Sequence, residues 1–139
     1  MPRAVKTVPV ARAEAKLYLA KANQFLGGAV SALEEGKHDL SMLDSVHAAI
    51  SSADAVTVAI AGLRSADPDH QRAADLLEQV VGSSAQLRTH VRQLRELLAK
   101  KNMVEYESRR TTQKEAIDAQ HRAERLVTWA REIVEGATP

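Results

Sequence analysis

Apolar and small residues return every three or four positions along most of this chain, and the breaks in that rhythm divide it into five helices. Ala15, Leu19, Ala22, Leu26, Ala29 and Leu33 share one face of a first helix, and Gly36 follows where a C-terminal cap is expected. Asp39 is placed to cap a second helix over about 40–61, whose stretch between Asp44 and Arg64 carries no charge other than Asp54. A helix that is small or apolar almost all round belongs at the centre of a bundle or at a subunit interface. The segment RSADPDH offers Asp67 as N-cap and Pro68 as first helical residue of a short third helix ending near Gly82. Ser83 or Ser84 starts a fourth, with the stripe Leu87, Val91, Leu94 and Leu98. Thr112 and Glu115 form a capping box at the head of the fifth, which runs through Ala116, Ala119, Ala123, Leu126, Ala130 and Ile133 to Gly136. No segment reads as a strand, and the short connections predict antiparallel neighbours, so the expected fold is an all-α, up-down antiparallel bundle of about five helices. Residues 1–10 read as a flexible leader, 11–136 as one helical domain and 137–139 as a tail.

Composition narrows this picture without naming a function. At 139 residues, 45% hydrophobic and 27% charged, the chain suits a single core. Its aromatics are limited to Tyr18, Phe25, Tyr106 and Trp129, a balance that favours helices. A net charge of +1 gives no general attraction for polyanions. The lack of cysteine excludes disulfides and thiol catalysis, and no apolar run approaches the roughly 18 residues of a membrane span. A soluble, cytoplasmic protein with no membrane contact is expected. Phosphate-binding glycine loops, HExxH and GxSxG are missing, and none of the five histidines has another three or four positions away, so neither a metal nor a cofactor is expected.

The candidate chemistry gathers around KNMVEYESRR, residues 101–110, where polar side chains take over from a leucine stripe. Continuing the stripe from Leu94 and Leu98 lands on Lys101 and Glu105, which points this pair inward. On the second helix His47 and Asp54, seven residues apart, lie on nearly one line. In one reading they are a satisfied core pair, His47 donating to a carbonyl and Asp54 meeting a cation from another helix. In the other they face a cleft against the fourth helix, with Lys101 available to Asp54. Asn102 and Tyr106 share a face with Arg88, Arg92 and Arg95, a ridge that could follow a phosphate backbone while the tyrosine stacks on a base. The alternative is a solvated face with Glu96 as the salt-bridge partner. Arg109, Arg110 and Lys114 add positive charge beyond the helix.

The order of helices, the opening FLGGAVSALEEGKHDLSMLDSVHAAISSADAV, the DHQRAADLL start of the third helix, and KNMVEYE followed by AIDAQHRAERLVTWA together resemble a HEPN domain, the higher eukaryote and prokaryote nucleotide-binding family, from about Ala11 to Glu135. The resemblance implies a small helical bundle, commonly a homodimer. It further implies either a metal-independent ribonuclease of toxin-antitoxin, phage-defence or RNA-processing systems or a non-catalytic partner of a small nucleotidyltransferase. Catalytic members carry an arginine, usually followed by a polar residue such as asparagine, and then a histidine after four to six intervening residues. Here the matching positions are Lys101, Asn102 and, near the histidine's place, Tyr106. Lysine lacks the bidentate fork of arginine, and a tyrosine with an ordinary pKa of about 10 is a poor base near neutral pH. KNMVEY is closer to an Arg-Asn-x-x-Asp-Tyr variant found in other relatives. Arg64 and His70 have the motif's bare spacing but fall in the turn before the third helix, which already reads as a helix start.

Three functional expectations follow. The first is a non-catalytic or weakly active module of a toxin-antitoxin or stress system, binding RNA, a nucleotide or a partner protein through Asp54, Lys101, Asn102, Glu105, Tyr106 and Arg109. Its partner would be a second copy, a nucleotidyltransferase-like protein or an antitoxin. The second is a metal-independent ribonuclease using His47 or His70 as the base. The third is a structural homodimerisation module whose polar cluster only sets helix register.

Overall fold

The computed structural model describes residues 4–82 and 84–136. It contains the five expected helices: α1 (Ala15–Glu34), α2 (His38–Ala61), α3 (Gln71–Val81), α4 (Ala85–Tyr106) and α5 (Gln113–Gly136). The expectations for residues 1–3, for Ser83 and for the tail 137–139 lie outside the described residues.

The near absence of charge along α2 has the predicted consequence, since this helix packs against α1, α3, α4 and α5. Apart from Met42, Val46, Val56 and Val58 its buried positions are alanine, serine or threonine. Such small side chains let neighbouring backbones come close, while the bulk of the core arrives from outside as Leu77, Leu94, Leu97, Leu126 and Trp129. Three of the buried hydroxyls are satisfied: Ser41 donates to the carbonyl of Ala29 on α1 and Ser52 to that of Ala48, both at 2.8 Å, and Thr57 to that of Asp54 at 3.3 Å. The buried face of α1 is all alanine, Ala15, Ala22, Ala29 and Ala32, with Leu19 and Leu26 half-buried beside it. Gly28 belongs to the same close approach, because a Cβ there would lie 2.7 Å from Oδ2 of Asp44 on α2. Its neighbour Gly27 faces open space.

The helix ends follow the sequence in part. Gly36 and Gly62 take positive φ, 75° and 65°, at the ends of α1 and α2, as only glycine does at little cost. Ser84 caps α4 by accepting the N–H of Leu87, and Thr112 and Glu115 form the reciprocal capping box of α5 at 3.1 and 3.0 Å. Asp39 does not cap α2; it lies in that helix's first turn and accepts the N–H of Thr111, at 2.8 Å, from the loop before α5. Neither does Asp67 cap α3 with Pro68 as its first residue. Asp67 accepts the N–H of Asp69 and Asp69 that of Gln71, so the two carboxylates hold a turn and α3 begins at Gln71.

The structure also has strands, where the sequence suggested none. β1 (Thr7–Pro9), within the assigned leader, pairs antiparallel with β2 (Leu63–Ser65), Val8 facing Arg64. The left-handed Gly62 turns the chain back from α2 alongside the leader, and bonds from Val10 N–H to Gly62 and from Ala66 N–H to Lys6, both 2.9 Å, extend the ribbon. Three-residue strands are too short for alternation to reveal them. Among the described residues no helix is long and apolar enough to cross a membrane.

Candidate functional site

The segment after the leucine stripe remains helical, and α4 runs through Tyr106. Met103 takes the buried position that the stripe needs, leaving Lys101, Asn102, Glu105 and Tyr106 on the wall of a cavity of about 320 Å3. Its opposite side is the start of α3, with His70 and Gln71. Lys101 directs its charge to Glu105, Nζ to Oε1 at 2.8 Å, and does not reach Asp54. That bond is the first reason the Glu105 carboxyl is held below its usual range. Tyr106 is 78% exposed, so most of its ring is open to solvent.

Among its polar middle positions, α2 opens towards solvent at Asp44, His47 and Asp54, beside half-buried Leu43 and Ile50. His47 does not donate to a carbonyl; its ring stacks on Phe25 of α1, centroids 5.2 Å apart. Burial lowers its pKa first, Lys101 and His70 next, against the raising pull of Asp44 and Glu105, so the imidazole is neutral near pH 7. His47, His70, Lys101 and Glu105 therefore act as one electrostatic group.

Asp54 belongs to a second, smaller cavity of about 170 Å3, shared with Ile50, Arg64, His70 and Ala73. Burial pushes its carboxyl up to about 7, while Arg64 and Lys21 pull the other way without forming an ion pair with it. Arg64 donates through Nη1 to the carbonyl of Ser65, and its Nε is buried without a partner. His70 walls both cavities. The Arg64 and His70 pair, set aside in the sequence for its position in a turn, is thus brought together beside Asp54. The cause is invisible in spacing: the β1–β2 ribbon fixes Arg64, and α3 starts late enough to leave His70 at its N-cap.

Arg109 is not part of this cleft. It clasps Glu115 with both Nη atoms at 2.9 Å and also contacts the Met103 sulfur, fastening the end of α4 to the head of α5. This clasp, followed by the Thr112 N–H, brings the Glu115 carboxyl down to about 2. Nearby, Thr111 keeps the Asp39 carboxyl low through its hydroxyl and backbone N–H, although the buried hydroxyl falls short of full hydrogen-bond geometry. The arginine ridge is divided. Arg95 pairs with Asp75 and Glu78 at 2.8 and 3.2 Å, whereas Arg88 and Arg92 have no ion pair among the described residues. Glu96, the suggested partner of the ridge, instead pairs with Arg122 of α5.

A larger cavity of about 610 Å3 lies between α4 and α5 over Met42, Leu97 and Ala119; it shares Ala99 with the cleft wall but none of the cleft's polar residues. Among the described residues no three histidine or carboxylate groups gather closely enough to hold a metal ion.

No curated protein sequence matches the chain significantly. The family model described as HEPN domain matches residues 15–133, from the first residue of α1 to the last turn of α5. With four helices around a central small-residue helix and a match over most of its length, the chain belongs to the HEPN domain family.

Proposed function

We propose that this protein is a non-catalytic or weakly active RNA- or nucleotide-binding module, working as a homodimer with an antitoxin or nucleotidyltransferase-like partner in a toxin-antitoxin or stress system. The observation that carries the binding reading is the shared cavity of Lys101, Asn102 and Tyr106 with His70 and Gln71, on the same helix as Arg92 and Arg88, which have no ion pair among the described residues. Lysine and arginine neutralise phosphates, asparagine offers donors and an acceptor, and an exposed tyrosine gives a base a surface to stack on. Titration of a labelled single-stranded RNA followed by fluorescence anisotropy tests the reading. Lys101→Ala and Arg92→Ala are each expected to weaken binding several-fold and to lower the salt slope by about 0.7 for each phosphate no longer neutralised. Unchanged affinity and slope in both variants would remove the RNA interface from this face. Light scattering of the purified protein tests the homodimer, and a monomer at micromolar concentration contradicts it.

A second reading, a metal-independent ribonuclease, is favoured by His47, His70 and Lys101 sharing one electrostatic environment. One histidine would take the proton of the ribose 2′-hydroxyl as its oxygen attacks the adjacent phosphorus. The other would protonate the leaving 5′ oxygen, while Lys101 balances the phosphate charge. Cleavage of labelled RNA in chelator that disappears in His47→Ala and His70→Ala supports it; equal cleavage by both variants removes it.

A further inference from the structure

The 170 Å3 cavity around Asp54 has features that a structural role does not explain. Of the two carboxylates in its lining, Asp67 accepts the N–H of Asp69, whereas among the described residues the half-buried Asp54 carboxylate accepts no hydrogen bond and forms no ion pair, although burial disfavours its charge. Arg64 lines the same space, with its Nη1 donating to the Ser65 carbonyl and its remaining Nη–H groups in no hydrogen bond among the described residues. A carboxylate that accepts no hydrogen bond, beside a guanidinium in one small space, suits a ligand edge of two adjacent N–H donors next to one acceptor. The remaining walls include the apolar Ile50 and Ala73, suited to the faces of a flat ring. The volume is below the roughly 300–1,000 Å3 of ordinary ligand pockets, which limits the guest to one ring system inserted from a larger site. That larger site is adjacent, because His70 is a wall of both cavities and Lys101 and Asn102 lie across from it.

We propose that the Asp54 cavity is a guanine-selecting base pocket, in which the Asp54 carboxylate accepts the ring N1–H and exocyclic amino group of guanine and the Arg64 guanidinium donates to its O6. The assignment rests on the RNA- or nucleotide-binding reading of the neighbouring cleft and gives that cleft a preferred base. Adenine presents an acceptor at N1 and a donor at its C6 amino group, so it meets Asp54 and Arg64 with the wrong polarity. Uracil and cytosine lack the pair of adjacent donors. Inosine keeps N1–H and O6 but has no amino group, and is therefore an intermediate ligand. The positive charges of Arg64 in the pocket wall and of Lys21 on α1 both favour an ionised Asp54, while Asp67, the other carboxylate in the wall, is turned to Arg72 and the Asp69 N–H.

The test uses the full chain and labelled single-stranded RNAs identical except for one central guanosine, inosine, adenosine or uridine. Guanosine should bind about tenfold to a hundredfold more tightly than adenosine or uridine, with inosine between, since base-edge contacts discriminate on that scale. In Asp54→Asn and in Arg64→Lys, each checked for folding by circular dichroism, the ratio of guanosine to adenosine affinity should fall towards one. Equal binding of all four RNAs by the native protein overturns the pocket while leaving the RNA-binding reading intact. A guanosine preference that survives Asp54→Asn in a folded protein overturns the assignment to Asp54. If no RNA binds, NMR titration with guanosine 5′-monophosphate and adenosine 5′-monophosphate separates the two ideas. Shifts at Ala66 and Ala73 with the guanine nucleotide alone support the pocket without the RNA reading, and no selective shift overturns both.

Discussion

At the scale of single residues, Asp54 shows how a group can be kept where it harms stability. Its folded-state pKa, about 7, lies above the ordinary aspartate value of 3.8, so between those limits the folded chain holds a proton that the unfolded chain has released. The penalty is absent below about pH 4, grows as pH rises towards 7 and is complete above it. Asp54→Asn is therefore expected to raise stability at pH 8 by about 2 kcal/mol, after discounting for the partial exposure of the site, and to have no effect at about pH 3.5. Denaturant melts at the two pH values measure this, and equal shifts at both would show that the change acts by some route other than ionisation. The opposite sign holds for Glu115. Its carboxyl is lowered to about 2 by Arg109, so its support for the head of α5 is present above the usual carboxylate range and disappears as pH falls to 2. Sequence spacing found Glu115 through the capping box, but it offered no sign that Arg109 would be committed to it. A side chain in an irregular loop has no periodicity from which its direction can be read.

At the scale of elements, periodicity and capping chemistry made all five helices legible, and the chargeless interior of α2 announced its central position. What could not be read was how elements meet across the chain. The Lys101 and Glu105 pair fell on the extended stripe as expected, yet Lys101 stops at its own helix neighbour, because an i,i+4 partner is nearer than a carboxylate one helix away. Asp54, meanwhile, shares its cavity with Arg64, which is held by a ribbon of three-residue strands that no sequence window resolves. The paired glycines of α1 divide in the same way. Gly27→Ala meets open space and should stabilise by roughly 0.5–1 kcal/mol, the usual difference between alanine and glycine within a helix. Gly28→Ala gains the same preference but must push the Asp44 carboxylate aside, so its net change should be near zero or unfavourable. Thermal denaturation of the two variants compares them directly, and equal stabilisation would mean that Asp44 yields freely.

At the scale of the whole molecule, α2 is the common wall of the fold. Ala49, fully buried on it, has no spare volume, and Ala49→Leu is expected to cost about 1–3 kcal/mol or more through overpacking, measured as a drop in the denaturant midpoint. A change below about 0.5 kcal/mol would show that the neighbouring helices can move apart. The segment across the cleft has a different mechanical character. Residues 63–81, which carry Arg64, His70 and all of α3, are bracketed by Gly62 and Gly82, both at positive φ. Gly62 is held by bonds to Val58 and Val10 and Gly82 has open space beside it, whereas α2 is gripped by every other helix. Breathing that exposes the Asp54 cavity therefore passes through the α3 side, with α2 as the stationary jamb. For a ring held in that cavity, residence time would follow the frequency of this swing as much as the strength of its hydrogen bonds.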